Sequence, residues 1–115
     1  MSVKILHNPR CSKSRQTLAL LEEKGIAPEV VLYLTDTPSK TEIANILQKL
    51  DMSPRDLMRK GEAEYKDNNL ADPSLDEAAL LQALVDHPKL IERPIVLANG
   101  KARIGRPPES VLEIL

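Results

Sequence analysis

Apolar and polar positions along the chain change period several times, and each change marks an element. Val3 to Leu6 is a short apolar run stopped by His7-Asn8-Pro9, because proline disfavours helix at the residue before it and marks a turn. It reads as a buried strand leading into a loop. From Ser12 to about Lys24 the pattern is helical, with Leu18, Ala19, Leu20 and Leu21 on a broad face and Gly25 placed for a left-handed stop. Val30 to Leu34 is a continuous run rich in β-branched residues between Pro28 and Thr35-Asp36-Thr37-Pro38, and is predicted as a second strand. Strand, helix and strand at this spacing imply a parallel pair with a right-handed crossover.

Ser39-Lys40-Thr41-Glu42 is a capping box, with Ile43, Ile46, Leu47 and Leu50 repeating at helical spacing behind it. Ser53-Pro54 opens a short helical piece expected to run through Arg59, and Lys60 to Asn69 loses apolar periodicity, as a surface loop or irregular helix does. Ser74-Leu75-Asp76-Glu77 reads as a second capping box before Leu80, Leu81, Leu84 and Val85, in a helix that ends near His87-Pro88. Ile95 to Ala98, Asn99-Gly100 and Lys101 to Ile104 form a β-hairpin, since Asn-Gly supplies both positive φ angles of a type I′ turn. Pro107-Pro108-Glu109 then starts a last helix, expected to carry Val111, Leu112 and Leu115 on one face. The order predicts an α/β fold: a four-stranded mixed sheet flanked by helices, with a helical insertion between the second and third strands.

Composition narrows what such a fold does. At 115 residues the chain is expected to be a single domain, residues 1–115. Lys and Arg number 16 against 17 Asp and Glu, for a formal charge of −1, so no global field attracts polyanions. Phe and Trp are absent and only Tyr33 and Tyr65 remain, which removes the aromatic platforms that single-stranded nucleic acid stacks on. No nucleic-acid partner is expected. The opening residues lack an apolar signal-like segment, and no run of 18 apolar residues follows; the expectation is a cytoplasmic chain with no membrane partner. One cysteine cannot close an internal disulfide, and two histidines 80 positions apart with that cysteine match no metal-binding spacing. Small size and the lack of an apolar surface stripe point to a monomer.

Cys11 is therefore the residue to weigh. A helix entrance lowers a thiol pKa through unpaired amides and the helix dipole, and the thiolate is the reactive form. Arg10, Lys13 and Arg15 add positive charge, and Ser12 and Ser14 add donors, so the loop also suits a tetrahedral oxyanion. The bland reading is a lone cysteine packed as a small hydrophobe.

His7-Asn8-Pro9-Arg10-Cys11-Ser12-Lys13-Ser14-Arg15 resembles the H-N-P-x-C-x-x-S-R segment of the glutaredoxin-coupled arsenate reductase family. Leu57-Met58-Arg59-Lys60, Ile91-Glu92-Arg93-Pro94-Ile95-Val96 and Gly105-Arg106-Pro107 look like that family's three arginine segments, in order and at similar spacing. The resemblance implies a thioredoxin-like fold. It implies that Cys11 is the nucleophile that attacks arsenate and that Arg59, Arg93 and Arg106 hold the oxyanion, with His7, Ser14 and Arg15 in support. It also implies glutathione as reducing cosubstrate and glutaredoxin as protein partner, with no bound cofactor and no metal, and a cis peptide at Arg93-Pro94. Ser14 stands where a second cysteine of a Cys-x-x-Cys pair would be, so resolution of any adduct on Cys11 requires an external thiol. Taken singly each arginine reads as a surface or ion-paired residue, for instance with Glu92, and Arg103 competes with Arg106 because alternate hairpin residues face opposite sides. The related readings are a glutathione-dependent thiol reductase of other substrates and an RNA-polymerase-binding regulator on the same scaffold.

Overall fold

The computed structural model describes residues 2–115, which divide into two compact units, one running to Asp36 and resuming over Arg93–Leu115, the other Thr37–Glu92. The first unit carries the sheet. Its strands are β1 (Val3–Leu6), β2 (Glu29–Val31), β3 (Ile95–Ala98) and β4 (Lys101–Ile104), in the order β2-β1-β3-β4. β1 runs parallel to β2 and antiparallel to β3, and β4 closes the hairpin antiparallel to β3, with Val96 opposite Arg103. Helix α1 (Ser12–Glu23) connects the two parallel strands. This is the expected four-stranded mixed sheet flanked by helices, a thioredoxin-like arrangement.

Alternation along the strands decides the core of this unit. Val3 and Ile5 of β1 and Val96 and Ala98 of β3 share a buried cluster with Leu21 of α1 and with Val111 and Ile114. The hairpin turn has Asn99 at φ 55° and Gly100 at φ 74°, the two left-handed positions a type I′ turn needs. α1 ends at Glu23, and Gly25 follows with φ 79°.

Two expectations in this unit need correction. The second strand stops at Val31, and Leu32 to Asp36 instead turns, with the amides of Thr35 and Asp36 both donating to the Leu32 carbonyl. β2 lies at a sheet edge and can only pair where β1 continues. The last ladder partners are Leu6 and Val31, and beyond the His7 amide bond to the Val31 carbonyl the neighbouring chain turns away at Asn8-Pro9. The C-terminal helix is a 3-10 helix, Pro108–Ile114, and its buried residues are Pro108, Val111 and Ile114. Three residues per turn put positions i, i+3 and i+6 on one face. Leu112 is consequently exposed and Leu115 only partly buried.

The second unit holds the helical insertion: α2 (Lys40–Leu50), α3 (Pro54–Leu57), α4 (Ala63–Asp67), α5 (Glu77–Asp86) and a 3-10 turn at Pro88–Leu90. The Ser39 box forms as expected, its hydroxyl accepting from the Glu42 amide and the Glu42 carboxylate accepting from the Ser39 amide. The charged stretch after Lys60 contains the short α4. α2, α3 and α5 pack together, and Ile43, Ile46, Leu47, Leu57, Leu80 and Leu84 are buried. α3 ends two residues before the expected Arg59, because Met58 turns extended and pairs with Ile91. The second capping box does not form as read. Asp76 caps α5 by accepting from the Ala79 amide, while the Ser74 hydroxyl donates to Asp72. Among the described residues no helix is long and apolar enough to cross a membrane, and no group of three His, Cys, Asp or Glu side chains could hold a metal ion.

Candidate active site

The end of β1, the first turn of α1 and the two ends of the β3-β4 hairpin converge on Cys11 in the sheet unit. Asn8 shapes the approach: its carbonyl accepts from the Cys11 amide at 3.0 Å and its Oδ1 accepts from the Arg10 amide at 3.0 Å. Cys11 is the N-cap residue of α1, extended at φ −95° and ψ 124°, so its side chain stands at the mouth of the helix. Only 9% of its surface is exposed.

Two arginines reach this sulfur. Arg106 Nη2 lies 3.6 Å from Cys11 Sγ, and Arg106 Nε donates to the Arg93 carbonyl at 2.9 Å. Arg93 acts on the sulfur through both a hydrogen bond and its charge. The Arg93-Pro94 peptide is cis, as expected; the Arg106-Pro107 peptide is also cis, which the sequence did not indicate. Burial of the sulfur pushes the Cys11 thiol up, but the Ser14 amide, the Arg93 guanidinium and the Lys13 amide together outweigh it and hold the thiol below its ordinary value. A depressed thiol pKa beside two guanidinium groups is an arrangement suited to nucleophilic attack and to anion binding at one place.

Ser14 is fully buried behind the cysteine. Its hydroxyl oxygen accepts from the Asn8 amide at 3.0 Å and shares a 2.6 Å bond with His7 Nδ1. Burial first, and the Arg15 charge second, hold the His7 imidazole below its ordinary pKa, which leaves it neutral near pH 7. Arg15 donates to the Pro9 carbonyl at 2.9 Å, closing the loop from its outer side. The three supporting residues thus brace the loop and the first turn of α1, and the Ser14 hydroxyl serves His7 and Asn8.

Of the two hairpin arginines it is Arg106 that reaches the Cys11 sulfur, while Arg103 Nε pairs with Glu113 Oε2 at 3.0 Å near the C-terminus. Arg59 belongs to the helical unit. There its Nη1 lies 2.9 Å from Glu92 Oε1, its Nε lies 3.7 Å from Glu62 Oε1, and its amide donates to the Leu90 carbonyl at 2.7 Å. Gly105 is a positioning residue that sequence reasoning passed over. A Cβ there would come within 2.5 Å of Thr17 Oγ1 and 2.8 Å of Pro94 Cγ, while its amide donates to the Pro94 carbonyl at 2.9 Å. The signal was a glycine directly before Arg106, where the hairpin end must pass close to α1 and the Pro94 loop.

Comparison with known proteins agrees with this geometry, since the ArsC family profile matches residues 6–114, from the end of β1 to the C-terminal 3-10 helix. The chain belongs to the ArsC family. It is 64% identical over 114 residues to the uncharacterized protein YfgD of Escherichia coli K12, covering 98% of this chain and 96% of that relative. It is 55% identical to an arsenate reductase of Neisseria meningitidis serogroup A, covering 98% of this chain and 97% of that protein. The solved structure of an arsenate reductase from Vibrio cholerae superimposes with a TM-score of 0.97 at 58% identity, covering all of this chain and 98% of that one. Every sequence-selected residue therefore lies inside the span that matches the ArsC family.

Proposed function

We propose that this ArsC-family chain is a cytoplasmic, monomeric arsenate reductase in which Cys11 is the nucleophile and glutathione with glutaredoxin supplies the electrons. The observation that carries the reading is the Cys11 sulfur at a helix entrance with the guanidinium groups of Arg93 and Arg106 upon it. Relatives called arsenate reductase that align with nearly the whole chain support the substrate. Arg59 completes the oxyanion set in this proposal, on the strength of its motif, and the whole chain serves as one functional domain.

The Cys11 thiolate attacks arsenic and displaces one oxygen, which leaves as water after protonation, and the product is a thioarsenate with arsenic still at +5. Arginine forks suit this step because they stay charged and donate parallel bonds to an oxyanion. They favour the thiolate before substrate arrives and the adduct afterwards. A glutathione thiolate then attacks the Cys11 sulfur. The sulfur–arsenic bond breaks with its electron pair going to arsenic, which leaves as arsenite at +3, and Cys11 becomes a mixed disulfide with glutathione. Glutaredoxin attacks the glutathione sulfur and returns Cys11 as thiolate. The external thiol is required because the chain has a single cysteine.

The test is arsenate-dependent NADPH oxidation with glutathione, glutaredoxin and glutathione reductase present, comparing the natural chain with Cys11→Ser. Turnover by the natural chain alone supports the proposal. No turnover with arsenate, alongside reduction of mixed disulfides, moves the site to thiol reduction of another substrate.

A further inference from the structure

The sheet unit has a groove beside the Cys11 loop that the chemistry above leaves unused. His7, Asn8, Pro9 and Arg10 line it together with Leu32, Leu34 and Thr35, and it encloses about 260 Å³. Ordinary pockets for whole small ligands run to about 300–1,000 Å³, so this space suits one arm of a ligand. Its Leu32 is 45% exposed, the most exposed large apolar side chain among the described residues. Its Arg10 is exposed, and among the described residues the Arg10 guanidinium makes no hydrogen bond or ion pair. Three other arginines of this loop and hairpin are engaged: Arg15 on the Pro9 carbonyl, Arg106 on the Arg93 carbonyl and Cys11, and Arg103 on Glu113.

A free guanidinium beside an apolar cleft, one residue from a nucleophilic sulfur, fits a short thiol-bearing peptide that ends in a carboxylate. We propose that this groove holds the carboxyl-terminal arm of the glutathionyl group carried by Cys11, with Arg10 paired to the glycine carboxylate and the peptide lying against Leu32 and Leu34. The assignment rests on glutathione as the resolving thiol. It adds that the chain selects this thiol by charge and shape. Smaller neutral thiols reach the same sulfur without using the groove.

The test leaves arsenate out, so that it stands apart from the reductase assignment. The Cys11 thiolate attacks one sulfur of oxidised glutathione, a Cys11–glutathione disulfide forms, the original disulfide bond breaks, and the second glutathione leaves as thiolate with the bonding pair. Hydroxyethyl disulfide reacts by the same exchange but carries neither carboxylate nor peptide. Intact-protein mass spectrometry follows both rates for the natural chain, Arg10→Glu and Thr35→Trp. Because the neutral disulfide reports the sulfur's own nucleophilicity, the ratio of the two rates isolates recognition. The ratio is expected to fall about fivefold or more in Arg10→Glu, on the scale of one exposed ion pair exchanged for a repulsion. Thr35→Trp, which narrows the groove with no change of charge, is expected to lower the ratio as well. An unchanged ratio in Thr35→Trp, or equal losses with both disulfides in Arg10→Glu, overturns the proposal even if the chain reduces arsenate.

Discussion

Arg106 is held at two points by the loop it serves: Nε on the Arg93 carbonyl at 2.9 Å and Nη2 at 3.6 Å from the Cys11 sulfur. One planar group thereby ties the end of the hairpin to its beginning while presenting a fixed donor to the Cys11 sulfur. Lysine has no such fork.

Arg106→Lys is therefore expected to raise the Cys11 pKa and to lower arsenate-dependent kcat/KM by about 10²-fold, the scale of a lost preorganised donor. The thiolate's ultraviolet absorbance measured against pH reads the first effect and the coupled assay the second. Arg103→Ala, which loses the exposed pair with Glu113 and a bond to the Ala102 carbonyl, is expected to change neither. Equal losses in the two variants would reverse the assignment of Arg106 over Arg103.

The depressed Cys11 pKa also predicts a pH-dependent stability. The thiol lies below its ordinary value of 9.0 in the folded chain, so the unfolded chain binds the extra proton between the two values and folding gains as pH rises through them. This increment is complete above the unfolded pKa and disappears as pH falls through the folded one. Urea midpoints for the natural chain and Cys11→Ser should diverge in favour of the natural chain as the solution is made alkaline. His7 has the same sign in a lower window: its pKa lies below 6.5 when folded, so its contribution is present above that value and lost on acidification.

The cysteine loop was legible in the sequence because its signals are local. Pro9 ends the strand, the helical period begins after Cys11, and Asn99-Gly100 fixes the hairpin register that returns Arg93 and Arg106 to the same end of the sheet. What was not legible depends on partners distant in sequence. Leu32 to Leu34 has strand composition, but an edge strand extends only as far as its neighbour. The Val111, Leu112 and Leu115 pattern suits an α-helix, and only packing against α1 and the sheet reveals a three-residue period. Choosing Arg106 over Arg103 required knowing that Glu113 takes Arg103.

The cap of α5 separates two readings of one sequence. Ser74 and Asp76 both suit an N-cap, but Asp76 Oδ1 accepts from the Ala79 amide at 2.8 Å, whereas Ser74 bonds to Asp72. Asp76→Ala is expected to cost about 1 kcal/mol, as an N-cap does. Ser74→Ala is expected to stay within about 0.5 kcal/mol, as exposed substitutions do. Denaturant unfolding with the slope held common measures both, and a larger loss in Ser74→Ala would restore the Ser74 box.

The C-terminal 3-10 helix gives a prediction in which burial and register must agree. Ile114 is 3% exposed and shares the cluster with Val3, Ile5, Leu21 and Val96. Its carbonyl accepts from Asn99 Nδ2 at 2.8 Å, tying the helix to the hairpin turn. Leu112, two residues earlier, is 36% exposed. An α-helical register would have buried the wrong one of the pair. Ile114→Ala removes packed methylenes from a closed core and is expected to cost about 2–5 kcal/mol, while Leu112→Ala is expected to cost less than about 1 kcal/mol, since little apolar surface returns to water. The same core anchors α1, whose N-cap is Cys11, so Ile114→Ala should also slow alkylation of Cys11 at fixed pH by loosening the amides that favour its thiolate. Equal destabilisation by the two substitutions would mean that the last helix has the α-helical face the sequence pattern first suggests.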